Sequence, residues 1–196
     1  MHLVFDIFQG IGVAAAVGIR PFLPALGVGA LAAGDVQIDF KHTDFSFLQG
    51  APFLLVMVLG IVLVALAERR LSAEKLERGP IAVVLAGAAL AIGALLFAGS
   101  LCRGHYVTWP GFIGGVVCAA VGILATRPLL ARVRARLDAT TAASLPLVVE
   151  GGALLAALLS VVAPPVGVVV LALLLWLAIA GRGRGEQKYA GLRILR

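Results

Sequence analysis

Arg20, Glu68, Arg127 and Glu150 are ionisable residues set in or at the edge of strongly apolar stretches. A charge at membrane depth costs at least about 2.5 to 3.5 kcal/mol unless it finds water or a partner, so such residues imply either chemistry or pairing. Two guanidiniums and two carboxylates brought together can hold an anion or relay a proton, as in carrier sites. The same four can instead form ion pairs that fix helix order. Glu150 is the sharpest case. It lies six residues after Ser144, which is placed to N-cap a helix, so its carboxylate is expected about 9 Å inside that helix end. Gly151 and Gly152 beside it are expected to let another helix come close and bring an arginine within reach. Glu68 is followed by Arg69 and Arg70, so a solvated role at a helix end is open to it as well.

Arg20 and Arg127 share a local pattern, each preceding a proline and an apolar pair, in Gly18-Ile19-Arg20-Pro21-Phe22-Leu23-Pro24 and Ala125-Thr126-Arg127-Pro128-Leu129-Leu130-Ala131. Proline cannot donate a backbone hydrogen bond and pushes the preceding residue away from helical geometry, so a new helix is expected at each site. The pattern hints at a parallel pseudo-repeat, 3–68 against 107–180, joined by a helix over 81–100, with chance boundary chemistry as the alternative. After Pro128, Leu129, Leu130, Val133 and Leu137 fall on one helical stripe flanked by Arg132, Arg134 and Arg136. This predicts an interfacial helix whose arginines reach lipid headgroups, each worth about 1 kcal/mol near an anionic surface.

The elements that must position these residues are apolar throughout. Hydrophobic residues make up 61% of the 196 positions and charged ones 13%, against about 25% charged in a soluble domain; the mean hydropathy is +1.07. Apolar blocks fall at 3–19, 21–34, 52–68, 81–100, 107–126, 145–162 and 165–180, and a spanning helix needs about 20 such residues. The sequence therefore predicts an all-α, polytopic transmembrane bundle of six or seven membrane elements. The count depends on whether 3–34 is a hairpin with a short, tilted or re-entrant second arm, or one broken span. Residues 1–181 read as a single integral membrane domain and 182–196 as a basic cytoplasmic tail.

Of the sixteen basic residues, Arg69, Arg70, Lys75, Arg78, Arg127, Arg132, Arg134, Arg136, Arg182, Arg184, Lys188, Arg193 and Arg196 fall in alternate connections and the tail, against Lys41 and Arg103 in the others. Thirteen against two orients the basic connections and the C-terminus to the cytoplasm, and the loop with Asp35, Asp39 and Asp44 outward. A hairpin at the N-terminus would put Arg20 on the cytoplasmic side and the N-terminus outside. A cleavable signal peptide is excluded because no Lys or Arg precedes the first block and Asp6 and Gln9 interrupt it. Cys102 and Cys118 lie at different depths and are expected to stay unpaired. His2, His42 and His105 show no metal-ligand spacing, and no catalytic nucleophile with its base is visible, so neither an enzyme nor a cofactor is expected. The net charge of +6 reads as membrane-surface attraction, not nucleic-acid binding. Trp109, Trp176 and Tyr106 read as interface anchors.

The segment 18–24, the span ending in Glu68, and the run from Arg127 through Ser144 to Glu150 resemble the bacterial membrane proteins of domain-of-unknown-function family 4126. Members generally carry a Glu followed by an Asp-Lys-Pro type sequence after the span, where this chain has Glu68-Arg69-Arg70-Leu71-Ser72. The resemblance implies a polytopic inner-membrane protein without an assigned activity. Two readings follow from the residues. One is a small carrier or flippase for a lipid or other anionic substrate, with Arg20, Arg127, Glu150 and Glu68 as its site. The other is a non-catalytic scaffold or assembly partner, with a homo-oligomer open to it, in which those charges are structural ion pairs and the 24 glycines serve packing.

Overall fold

The computed structural model describes residues 2–70 and 79–190. Lys75, Arg78, Arg193 and Arg196 of the basic connections and tail lie outside the described residues, as do the side chains of Arg182, Arg184 and Lys188. Seven α-helices are described: α1 (His2–Ile19), α2 (Phe22–Ala33), α3 (Ala51–Arg70), α4 (Pro80–Arg103), α5 (Trp109–Arg134), α6 (Ala139–Val162) and α7 (Pro165–Ala190). A 3-10 turn, Ser46–Gln49, precedes α3, and there is no strand among the described residues. Four helices, over Ala51–Arg70, Pro80–Arg103, Trp109–Arg134 and Ser144–Val162, are long and apolar enough to cross a bilayer.

The hub is α1. It packs against α2, α4, α5, α6 and α7, and Val13 through Val17 are fully buried. Its small residues are what allow so many neighbours. A Cβ added at Gly18 would lie 2.2 Å from the Ala119 carbonyl oxygen of α5, and one at Gly12 would lie 2.4 Å from the Gly167 Cα of α7. Contacts this close bring backbones together, and in lipid, dispersion between close backbones replaces the hydrophobic drive that water would supply. The α4–α5 crossing uses the same device at Gly93 and Gly115, where a Cβ on Gly115 would sit 2.5 Å from the Gly93 carbonyl oxygen.

The first two apolar blocks are two helices, not one broken span. The chain reverses at Arg20 and Pro21, where proline removes a donor and ends α1. Phe22 then lies over Gly60 in the middle of α3, and Gly29 lies against the Leu48 carbonyl of the 3-10 turn, so α2 returns towards the end where α1 began. There, the connection over 34–50 closes the bundle. Ile38, Phe40 and Leu48 are buried, the Gln49 side-chain oxygen accepts from the Phe40 amide at 3.0 Å, and Asp35, Gln37 and His42 adopt positive φ to turn the chain.

Three local expectations change. No separate helix starts after Arg127: α5 runs through Pro128 to Arg134. The donor lost at Pro128 would have served the Leu124 carbonyl, a loss that membrane helices tolerate because neighbouring groups re-satisfy the ladder; the Pro128 carbonyl itself accepts from Arg132 Nε at 2.9 Å. The two Arg-Pro sites thus differ, one ending a helix and the other lying within one. Ser144 is not a cap either. Asp138 caps α6, accepting from the Thr141 amide at 3.0 Å, while the Ser144 hydroxyl donates back to the Thr141 carbonyl at 2.9 Å. Finally, Gly151 and Gly152 meet nothing within 4 Å, so the close crossings lie elsewhere.

These contrasts are measurable. Gly18→Ala is expected to lower stability by about 1–3 kcal/mol, because the added carbon meets backbone that cannot step aside. Gly151→Ala, into open space, should gain about 0.5–1 kcal/mol from helix propensity. Thermal unfolding of the purified variants in one detergent reads both, and equal shifts would contradict the packing described.

Candidate functional site

The end of α1 delivers Arg20 to a meeting point of three helices. Its Nη1 donates to Glu68 Oε1 of α3 at 2.8 Å and stands 4.0 Å from Glu150 Oε1 of α6. One guanidinium is therefore shared by two carboxylates from different helices. The side chains are 17%, 26% and 20% exposed for Arg20, Glu68 and Glu150, buried enough that removing the cation would leave like charges facing each other. The charge also lies at the C-terminus of α1, where the helix dipole favours a cation. Glu150 comes to this point twelve residues after the Asp138 cap, about 18 Å along α6 at 1.5 Å per residue.

Arg127 projects from α5 beside this triad. Its Nη2 donates to the Ala82 carbonyl in the first turn of α4 at 2.7 Å, a neutral acceptor, which leaves most of the guanidinium's five donors for other partners. Thr126 next to it is satisfied within its helix, donating to the Gly122 carbonyl at 2.7 Å.

These side chains line one cavity of about 760 Å³. Its charged wall is Arg20, Glu68, Arg69, Arg127, Arg134 and Glu150, and its apolar wall includes Ala65 of α3, Leu85, Ala86 and Ala89 of α4, and Leu147 of α6. The four residues singled out from the sequence are thus brought together. Of the three arginines assigned to headgroups, Arg134 lines the cavity. Arg132 instead lies over Gly181 of α7, and Arg136 is exposed in the turn after α5. The lining carries four arginines against two glutamates, so its fixed charge favours an anionic occupant.

A second charged pair, at the opposite end of α1, was not anticipated. Asp6, whose side chain is only 3% exposed, accepts from Arg103 Nη2 at the end of α4, and Arg103 Nη1 donates to the Gln37 carbonyl at 2.7 Å. Gln9, one turn on, is 1% exposed, and its side-chain nitrogen has no hydrogen-bond partner among the described residues. In the sequence Asp6 and Gln9 register only as interruptions of an apolar block. Their spacing of three, on one helix face, and the rarity of Arg103 among basic residues at that end were the available signals. At the same end Lys41 pairs with Asp35 at the surface. Its pKa is raised, chiefly by the hydrogen bond to Asp35, which outweighs an opposing desolvation, with the Asp35 and Asp39 charges adding to the rise.

No group of three or more metal-ligating side chains occurs among the described residues, and Cys102 and Cys118 are both free thiols. No protein-family model matches the chain, and no curated protein or solved structure gives a significant match.

Asp6→Asn and Arg103→Gln should each cost about 3 kcal/mol, since each leaves a partly or fully buried polar group without its charged partner. The double variant should lose less than the sum, with an interaction of about 1 kcal/mol or more. Additive losses in thermal or denaturant unfolding would show that the pair is not coupled.

Proposed function

We propose that this chain is a small polytopic carrier of the inner membrane that binds an anionic substrate in the cavity at its basic end. The single observation that carries the reading is the shared cavity: Arg20, Glu68, Arg127 and Glu150, distant in sequence, line one space of about 760 Å³, within the range of small-molecule sites. The charges give a site for an anion, and the junction of α1 and α2 at Arg20 and Pro21 resembles the broken helices on which carriers build such sites. The bias of Lys and Arg orients the basic end to the cytoplasm. The resemblance to family 4126 is consistent with an inner-membrane bundle of this kind.

A second reading is favoured by one specific observation, the 2.8 Å bond between Arg20 and Glu68. A structural pair there would make the protein a scaffold whose charges only fix helix order. Arg20→Gln and Glu150→Gln, made separately, discriminate the two. The carrier reading expects at least one of them to fold normally and yet lose the stabilisation that an anion gives the parent, about 1.4 kcal/mol at ten times its dissociation constant. Inorganic phosphate, citrate and an anionic phospholipid are suitable probes in thermal-shift measurements. Parallel loss of folding in both variants, with no anion stabilising the parent, would establish the scaffold.

Orientation is tested independently. In a chain carrying Cys102→Ser and Cys118→Ser, Asp44→Cys is expected to react with an impermeant maleimide in intact cells, and Arg136→Cys only after permeabilisation. The reverse pattern would invert the topology.

A further inference from the structure

We propose that the cavity is reached sideways from the lipid, between α3 and α4, and that its ligand is a phosphate-bearing amphiphile whose headgroup sits on Arg127 while its chains lie along the α3–α4 gap. This rests on the anion-site reading above and narrows it from any anion to a lipid phosphate.

The bundle is closed at one end and splayed at the other. In α4, nearly every residue from Ile92 to Leu101 is buried. Nearer the basic end only Ala82 and Ala89 are, and Val83 and Val84 are 72% and 69% exposed. In α3 the buried residues are Met57 and Gly60, so beyond Gly60 nothing packs over it fully. Among the described residues, α3 packs on α2 and the 3-10 turn and shares no packed interface with α4. Both helices nonetheless supply cavity wall, Ala65 from one and Leu85, Ala86 and Ala89 from the other. Among the described residues, a space bounded by two helices that share no packed interface is left unfilled between them, and this is the side from which we infer that a lipid enters.

The chemistry of the wall follows the same axis. Ala65 of α3 and Leu85, Ala86 and Ala89 of α4 make an aliphatic wall that suits acyl chains and offers a free phosphate nothing. The charges stand next to it, Glu68 and Arg69 at the end of α3 and the others at the end of α1 and on α5 and α6. Arg127, Leu130 and Arg134 share one face of α5 at spacings of three and four. Arg20 is already shared by two carboxylates. Arg127, hydrogen-bonded to a neutral carbonyl, is the guanidinium best placed for a phosphate, whose oxygens its planar fork matches. A ligand with an apolar body and an anionic head fits both walls at once.

The test uses the purified full chain in a non-ionic detergent, with three probes that separate head from tail: dioleoyl phosphatidic acid, dioleoylglycerol, and glycerol 3-phosphate. Thermal shift and native mass spectrometry are the readouts. Phosphatidic acid is expected to bind and stabilise, the other two to bind at least tenfold more weakly. Arg127→Gln and Ala86→Phe should each weaken phosphatidic acid at least tenfold, and Arg127→Lys should retain part of the binding. If Arg127→Gln does not fold, Ala86→Phe carries the test, because it fills the aliphatic wall and leaves every charge in place. Glycerol 3-phosphate binding as tightly as phosphatidic acid would overturn lateral access and leave the anion site standing. Dioleoylglycerol binding equally well would show ordinary lipid solvation and overturn the phosphate. Undiminished binding to Ala86→Phe would place the lipid elsewhere. Absence of binding by both phosphate probes, with citrate also inert, would remove the anion-site reading itself.

Discussion

A buried charge on a helix packed against five others is kept only where a partner meets it, and α1 depends on this at both ends. Asp6 is met by Arg103 and Arg20 by Glu68 and Glu150. The two residues are fourteen positions apart, about 21 Å along the helix at 1.5 Å per residue. Between them lies a fully buried segment of small and β-branched residues, Val13 through Val17. Each pair fixes the depth of α1 against a different set of helices, α4 at one end and α3 with α6 at the other. The hub is thereby pinned in register at its two ends, and Val13 through Val17 between them are apolar. In hydrocarbon this matters more than in water, because no hydrophobic drive holds helices together there and the charged pairs add to what small-residue packing fixes.

The small residues explain why the bundle is asymmetric. Backbones come close where glycine or alanine faces glycine or alanine, at Gly18 with Ala119, Gly93 with Gly115 and Gly12 with Gly167. The α4–α5 crossing falls in the half of α4 that is buried, and beyond it α4 has little packed over it, with Val83 and Val84 exposed. Helices held tightly at one crossing diverge away from it by their crossing angle. Closure at one end, reinforced by Ile38, Phe40 and Leu48 from the 34–50 connection, therefore makes space at the other. The cavity is a consequence of where the small residues stand.

Much of this was legible in the residues. Apolar runs alone located each helix, because a lipid solvent demands long unbroken apolar segments and leaves little else to read, but their polar ends were missed: α5 runs on from 126 to Arg134, α6 starts at Ala139 and not at 145, and α7 runs on from 180 to Ala190. The gathering of Arg20, Glu68, Arg127 and Glu150 at one end followed from the alternation of helix direction: residues at the ends of successive spans must share a side. What could not be read was local. A proline that ends α1 at Pro21 is accommodated inside α5 at Pro128, and the difference comes from neighbours, not from the dipeptide. Asp138 caps α6 in place of Ser144, since both are competent caps and only the tertiary exit of α5 selects between them. The Asp6–Arg103 pair stayed hidden because an acidic residue near a chain's start is as readily solvated as buried. Only the hub position of α1, which no periodicity announces, buries it.

The ion pair and the cavity are not rival explanations of the same residues. A structural role accounts for Arg20, Glu68 and Glu150, three groups whose charges largely answer one another across two distances of 2.8 and 4.0 Å. It does not account for Arg127, which turns a guanidinium into the same space and meets a backbone carbonyl. A bundle selected only to hold its helices in order would gain by filling that space with side chains, because a void forfeits dispersion contacts on every wall. Ala65, Ala86 and Ala89 do the reverse: they are small where larger residues would close the gap. The triad supplies the framework, and the unfilled space with an arginine facing it is the part of the sequence that packing alone leaves without a cause.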